Sequence, residues 1–276
     1  MDLLQALVLG VIQGLTEFVP ISSSGHLVLT PWFLGWEKPG LVFDTTLHLG
    51  TLVALLLYFW RDLWLITKAW LGGWRRLSWH DASGRLGWMI VAGTVPAVVL
   101  GVLFQEQFES LFARPRFVAV SLLVTGTVLA FSERTGSRQH GVDKISLAGS
   151  ILIGLAQAAA ITPGISRSGA TIAAGLGLGL TRTGAARFSF LLGVPIIAGA
   201  GLSQLFGIAS GAEAAGASAE ALIVGFVAAA TSGYLCIRFL LSYLQRGTLY
   251  VFAAYCWVLG MGSVAIWALT GGKGLG

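Results

Sequence analysis

The chain has 276 residues, of which 55% are hydrophobic and 11% charged, with a net charge of +5 and a mean hydropathy of +0.81. Soluble domains carry about 25% charged residues, so a water-soluble fold is excluded and the chain belongs in a bilayer. Its basic residues gather at the ends of apolar segments, which reads as membrane topology and not as a surface for nucleic acid.

The chain opens Met1-Asp2-Leu3-Leu4-Gln5, with neither a basic leader nor a small-residue cleavage site after the first apolar stretch, so no removable signal peptide is expected. An apolar region over 3–35 is interrupted by Ile21-Ser22-Ser23-Ser24-Gly25, which predicts two half-length helices around an irregular turn. Spanning helices are predicted over 41–60, 86–104, 116–131, 188–207, 220–238 and 248–269, runs of the order needed to cross roughly 30 Å of hydrocarbon. Asp44 and His48 near the start of the first span are either a shell supporting a site or headgroup-level anchors. The 61–80 stretch mixes Arg61, Lys68, Arg75 and Arg76 with Trp60, Trp64, Trp70, Trp74 and Trp79, the pattern of an amphipathic segment anchored among headgroups. Glu106 and Glu109 in the loop after the second span read as solvated. A second broken region, 145–180, is interrupted by Ile165-Ser166-Arg167-Ser168-Gly169. Cys236 and Cys256 lie in apolar stretches without metal-ligand spacing and are expected to pack as small hydrophobes.

A shift of 144 residues superimposes Gly10, Gln13, Ile21, Ser22, Ser24 and Gly25 on Gly154, Gln157, Ile165, Ser166, Ser168 and Gly169 without a gap. The chain therefore reads as a tandem duplication forming one membrane domain over 1–276, with repeat 1 at about 1–140 and repeat 2 at about 141–276. Each half holds one broken hairpin and three spans, an odd number of crossings, so the second copy is predicted to insert inverted. The expected fold is an all-α polytopic membrane protein with six transmembrane helices and two re-entrant helical hairpins. Alternating sides puts Arg61, Lys68, Arg75, Arg76, Arg85, Arg134, Arg138, Lys144, Arg182, Arg187, Arg238 and Arg246 on one face and only Lys38, Arg114, Arg116 and Lys273 on the other. The first face is then cytoplasmic, with both termini outside.

Irregular backbone at lipid depth is tolerated where it lines a cavity, and inverted repeats bring such breaks together near the midplane. Gln13 and Glu17 are four residues apart and share a helix face directed at the first serine turn. A carboxylate in an apolar stretch is costly unless paired, which makes Glu17 a functional candidate; its plainer reading is a snorkelling or capping side chain. His26 opens the second arm, where an imidazole serves as general acid, base or metal ligand, although alone it would read as a satisfied buried histidine. The planar fork of Arg167 matches phosphate oxygens, its alternative being an internal salt bridge to Glu17. Hydroxyls of Ser22, Ser23, Ser24, Ser166, Ser168 and Thr171, with the turn glycines Gly25, Gly164 and Gly169, would be ordinary caps in isolation. Together with helix N-termini they form the equipment of phosphoryl transfer, and no Walker A, zinc or dinucleotide motif competes.

The patterns Gln13-x-x-x-Glu17, Pro20-x-Ser22-Ser23-x-Gly25-His26 and Pro163-Gly164-x-Ser166-Arg167-Ser168-x-x-Thr171 resemble the signature motifs of the bacterial undecaprenyl-diphosphate phosphatases, or bacitracin-resistance proteins. The resemblance extends over essentially the whole chain. It implies hydrolysis of undecaprenyl diphosphate to the monophosphate, recycling the lipid carrier of cell-wall synthesis, in the bacterial inner membrane with the site open to the periplasmic or outer side. It also implies that Glu17, Ser23, His26 and Arg167 are catalytic, and that Gln13, Ser22, Ser24, Gly25, Gly164, Ser166, Ser168, Gly169 and Thr171 bind substrate. A divalent cation, Mg²⁺ or Ca²⁺, is expected, with Glu17 as a ligand. Gln13 departs from the pattern, because many members carry a second Glu there, and an amide is no base and a weaker ligand.

The expected mechanism has Ser23 attacking the terminal phosphorus with help from His26, while Glu17 orients His26 or binds the ion. Direct attack by water is the alternative. The implied partners are the polyprenyl diphosphate and membrane lipids, with no nucleic acid; oligomeric state has no signature in the sequence. The rival function is a polyprenyl-phosphate flippase coupled to protons through Glu17 and His26, since broken-helix repeats also serve alternating access.

Overall fold

In a computed structural model, twelve α-helices account for about four fifths of the described residues, which are 1–72, 81–209 and 217–272. Among them six are long and apolar enough to cross a membrane: α3 (Leu41–Tyr58), α5 (Ala82–Leu103), α7 (Pro115–Thr135), α10 (Arg182–Ala209), α11 (Ala219–Tyr243) and α12 (Tyr250–Leu269). These are the six predicted spans, most of them extended by part of a turn or more at one end. The protein is a multi-pass membrane protein, and large apolar side chains such as Leu57, Val102, Phe206 and Val258 are more than half exposed on its outer surface, as lipid-facing residues are.

The two broken regions form four shorter helices, α1 (Leu3–Phe18) with α2 (Ser23–Leu34), and α8 (Leu147–Ala159) with α9 (Arg167–Gly177). The longest, α1, has 16 residues and rises about 24 Å at 1.5 Å per residue, short of a full hydrocarbon crossing. Each break is built by the same local chemistry. Ser22 caps α2 by accepting from the Gly25 amide at 3.2 Å, and Ser166 caps α9 by accepting from the Gly169 amide at 3.0 Å. Ser22 adopts a φ of 72°, unusual outside glycine, and the second turn passes through Gly164 at φ 90°. A Cβ at Gly164 would also collide with Ser121 of α7, so the turn requires glycine there on two counts.

Small residues let the helices approach closely. Gly10 and Gly14 of α1 lie against Gly225, Ala229 and Gly233 of α11, and Gly154 of α8 lies against Gly93 of α5. Further pairs are α3 with α10 and α7 with α12. Phe18, at the end of α1, meets Phe190 of α10 edge-on with centroids 5.5 Å apart, and both rings are fully buried. The first break is thereby seated on the largest hydrophobic cluster among the described residues.

The amphipathic stretch becomes α4 (Trp60–Gly72), which buries Ile66 and exposes Trp60, Trp64 and Leu65. Arg61 lies over the Trp60 ring at 5.2 Å. The remainder of that prediction, Arg75, Arg76, Trp74 and Trp79, and the topology residue Lys273 lie outside the described residues. Glu106 sits exposed in the short helix α6 (Gln105–Leu111), as expected of a solvated residue; the side chain of Glu109 lies outside the description.

At the end of the bundle predicted to be cytoplasmic, Glu133 of α7 is 3% exposed. It accepts from Arg182 Nε at 3.0 Å, from Arg138 Nη2 at 2.9 Å and from the Leu249 amide at 3.1 Å, and also pairs with Arg182 Nη2. One carboxylate thus ties α7, α10 and the start of α12. Removing one partner of a buried ion pair costs about 3–5 kcal/mol, so Glu133→Ala is expected to lower the thermal unfolding midpoint in detergent by several degrees, while Asp62→Ala moves it little. Asp62 pairs with Arg187 at 3.0 Å with both side chains well exposed, where such pairs are weak.

Candidate active site

The two breaks meet. Ser24 Oγ receives the Gly164 amide at 3.4 Å, and Ser168 Oγ donates to the Val19 carbonyl at 3.3 Å. From α7, Thr125 locks the second turn, donating to the Gly164 carbonyl at 3.0 Å and accepting from the Ser166 amide at 3.1 Å. Ser22 pairs with Ser24, and Ser166 with Ser168, each at 3.2 Å.

Glu17 is the hub. Its Oε1 accepts from Arg167 Nη2 at 3.0 Å, and its Oε2 accepts from Ser23 Oγ at 2.6 Å and from Gln13 Nε2 at 3.2 Å. The carboxylate is 6% exposed, and an opposite charge with two further donors is what makes an ionised group tenable in an apolar bundle. The salt bridge weighed against a phosphate role for Arg167 is therefore present in this state. It does not consume the guanidinium, since Nη1 donates to the Ser189 carbonyl at 3.1 Å while the buried Nε–H has no acceptor. Gly193 faces the same group: a Cβ there would lie 2.9 Å from Cζ of Arg167. The hydroxyl of Ser189 holds Thr171 at 2.7 Å, so α10 supports α9 from behind.

The histidines divide differently from expectation. His26 was predicted to assist Ser23, but both of its ring nitrogens point elsewhere: Nδ1 lies 2.7 Å from the Ser22 carbonyl, and Nε2 lies 2.8 Å from the Tyr255 hydroxyl of α12. At the start of a helix the imidazole turns back on the carbonyl four residues earlier, which carries it away from the Ser23 side chain. The group within hydrogen-bond reach of Ser23 is Glu17. His48 faces Glu17 across 3.9 Å with its Nε2, while its Nδ1 lies 2.8 Å from the Asp44 carbonyl. The supporting shell fits this placement of His48, whereas Asp44 contributes its main-chain carbonyl alone to that contact. Thr125, Ser189 and Tyr255 are parts of the site that sequence reading did not find.

Among the described residues, no group of three or more His, Cys, Asp or Glu side chains gathers to hold a metal. The available donors are oxygens: the Glu17 carboxylate, the Ser23 hydroxyl beside it, and Gln13 Oε1, which is buried without a hydrogen-bond partner. That set fits a hard divalent cation of the kind bound by few protein oxygens and completed by phosphate.

Comparison with known proteins gives a consistent result. A family model described as bacitracin resistance protein BacA matches residues 6–262. The undecaprenyl-diphosphatase of Moorella thermoacetica is 45% identical over 269 residues, which is 98% of this chain and 99% of that protein. That of Geobacter sulfurreducens is 47% identical over 257 residues, 92% of this chain and 94% of that protein. The relative from Methanosphaera stadtmanae, also named undecaprenyl-diphosphatase, is 42% identical over 271 residues, 95% of this chain and 96% of its own length.

Proposed function

The chain belongs to the BacA family of bacitracin resistance proteins, and from that premise we propose that it is an undecaprenyl-diphosphatase. It hydrolyses undecaprenyl diphosphate to undecaprenyl phosphate and inorganic phosphate, recycling the lipid carrier for peptidoglycan synthesis and conferring resistance to bacitracin. The observation that carries this reading is the contact between Glu17 of the first break and Arg167 of the second, with Ser23 hydrogen-bonded to the same carboxylate.

In the proposed reaction Arg167 and the N-terminal amides of α9 bind the diphosphate and stabilise charge on the transferring phosphoryl group. Ser23 Oγ attacks the terminal phosphorus as its proton passes to Glu17 Oε2, the nearest acceptor at 2.6 Å. The bond from that phosphorus to the bridging oxygen breaks, undecaprenyl phosphate departs, and water releases phosphate from Ser23. Glu17 and Gln13 would hold a Mg²⁺ or Ca²⁺ ion together with diphosphate oxygens, and the ion would supply neutralising charge there.

We further read the fold as two inverted repeats with re-entrant hairpins, in the bacterial inner membrane, with the site open to the periplasmic side. Support comes from the exchanged packing of counterparts, α1 on α11 but α8 on α5, and from the surplus of basic residues on the opposite face. Relatives bearing the name of a diphosphatase favour hydrolysis over the flippase alternative. The test is direct: the purified full chain in detergent with Mg²⁺ is expected to release inorganic phosphate from undecaprenyl diphosphate. Tight binding of that lipid without release would leave the carrier as the better account.

A further inference from the structure

His26 is held from two sides by groups that dictate its state. A carbonyl oxygen only accepts, so the 2.7 Å contact with Ser22 places the ring hydrogen on Nδ1. Nε2 of the neutral ring is then an acceptor, and the Tyr255 hydroxyl at 2.8 Å donates to it. The two rings are nearly parallel, 10° apart with centroids at 5.7 Å. Tyr255 lies 229 residues from His26 in sequence, on a helix that contributes nothing to either signature motif. The next residue, Cys256, is directed at the Pro20 carbonyl, so this turn of α12 abuts the first break. His26 is 7% exposed and Tyr255 is 44% exposed, which makes the phenol the outward member of the pair.

We propose that Tyr255 is a positioning residue for the phosphatase reaction: by a hydrogen bond to Nε2 and a stacked ring it fixes the imidazole of His26, whose Nδ1 in turn holds the Ser22 carbonyl of the turn that carries Ser23. The inference rests on the diphosphatase reading above. A side chain that positions a histidine in this way acts on turnover through that histidine, as partners that orient metal-bound histidines do. It has no reason to change how tightly the lipid binds.

The test uses the full chain in detergent, with phosphate release from undecaprenyl diphosphate measured for wild type, Tyr255→Phe, His26→Ala and the double variant. Tyr255→Phe keeps the ring and removes the hydroxyl. It is expected to lower kcat roughly 10–100-fold, with KM and the thermal midpoint unchanged, and to cause no further loss when His26 is already alanine. Wild-type turnover in Tyr255→Phe, or an equal fold-loss in both backgrounds, overturns the inference. Should His26→Ala be too slow to compare, nitrogen NMR of labelled histidine decides: the His26 Nε2 resonance is expected to move in Tyr255→Phe, and an unmoved resonance overturns the proposal. A wild-type protein that releases no phosphate fails the diphosphatase reading itself, whereas an active wild type with an equally active Tyr255→Phe fails only the claim about Tyr255.

Discussion

Arg167→Ala is expected to reduce phosphate release from undecaprenyl diphosphate on the order of 10³-fold or more, the scale on which a single arginine stabilises a transferring phosphoryl group. The geometry says why the loss is large. Arg167 sits at the first turn of α9, where backbone amides already favour an anion. Its Nη1 is held by the Ser189 carbonyl, so the fork is oriented before any ligand arrives. The substitution also strips Glu17 of its countercharge at 3.0 Å, and an unpaired buried carboxylate is destabilising by itself. Arg167→Lys separates the two effects, since it keeps a positive charge near Glu17 but loses the planar pair of donors. Its thermal midpoint is expected near that of wild type while its rate stays far below. A near-normal rate for the lysine variant would assign Arg167 a role in the fold and not in the chemistry.

Ser23→Ala is the second large effect, and it distinguishes the two possible nucleophiles. If Ser23 Oγ forms the bond to phosphorus, the alanine variant loses turnover on the order of 10⁴-fold or more, as enzymes deprived of their nucleophile do. A phosphorylated Ser23 is then expected in rapidly quenched wild-type reactions and not in the variant. Should water attack directly with Glu17 as base, Ser23→Ala removes one hydrogen bond to the carboxylate and costs only the modest factor of a lost positioning contact. The 2.6 Å separation between Ser23 Oγ and Glu17 Oε2 favours the first outcome, because the hydroxyl already points its proton at a carboxylate. Full turnover in Ser23→Ala would remove the covalent route.

Much of this was legible from residue types and spacing. Apolar runs gave the six spans, and the Ser/Gly interruptions gave the two breaks, because serine and glycine at lipid depth have few structural uses apart from caps and turns. The meeting of Glu17 with Arg167 was reachable by pairing the two Ser/Gly breaks, although they lie 150 residues apart. What escaped were supports donated by ordinary residues on distant helices. Thr125 and Ser189 resemble the many membrane-helix hydroxyls that bond their own preceding turn, and nothing local marks Thr125 as the clamp on Gly164 and Ser166. Tyr255 reads as an aromatic residue in a spanning helix. The expected help of His26 to Ser23 rests on sequence proximity, whereas the ring's hydrogen bond to the Ser22 carbonyl is a property of the helix start and invisible in the motif. His48 carries a signal of its own in the sequence: a histidine near the start of a spanning helix, one turn beyond Asp44, is suspect in so apolar a segment.

The central claim is that the acid of one break and the guanidinium of the other act on one headgroup, and a double-mutant cycle of kcat/KM for phosphate release measures it most directly. Glu17→Gln and Arg167→Ala are each expected to be severe, and the double variant is expected to be little worse than the slower single, because residues working as one unit lose their function together. A double variant whose loss equals the product of the two single losses would mean that the two side chains act independently, and would contradict a single shared site.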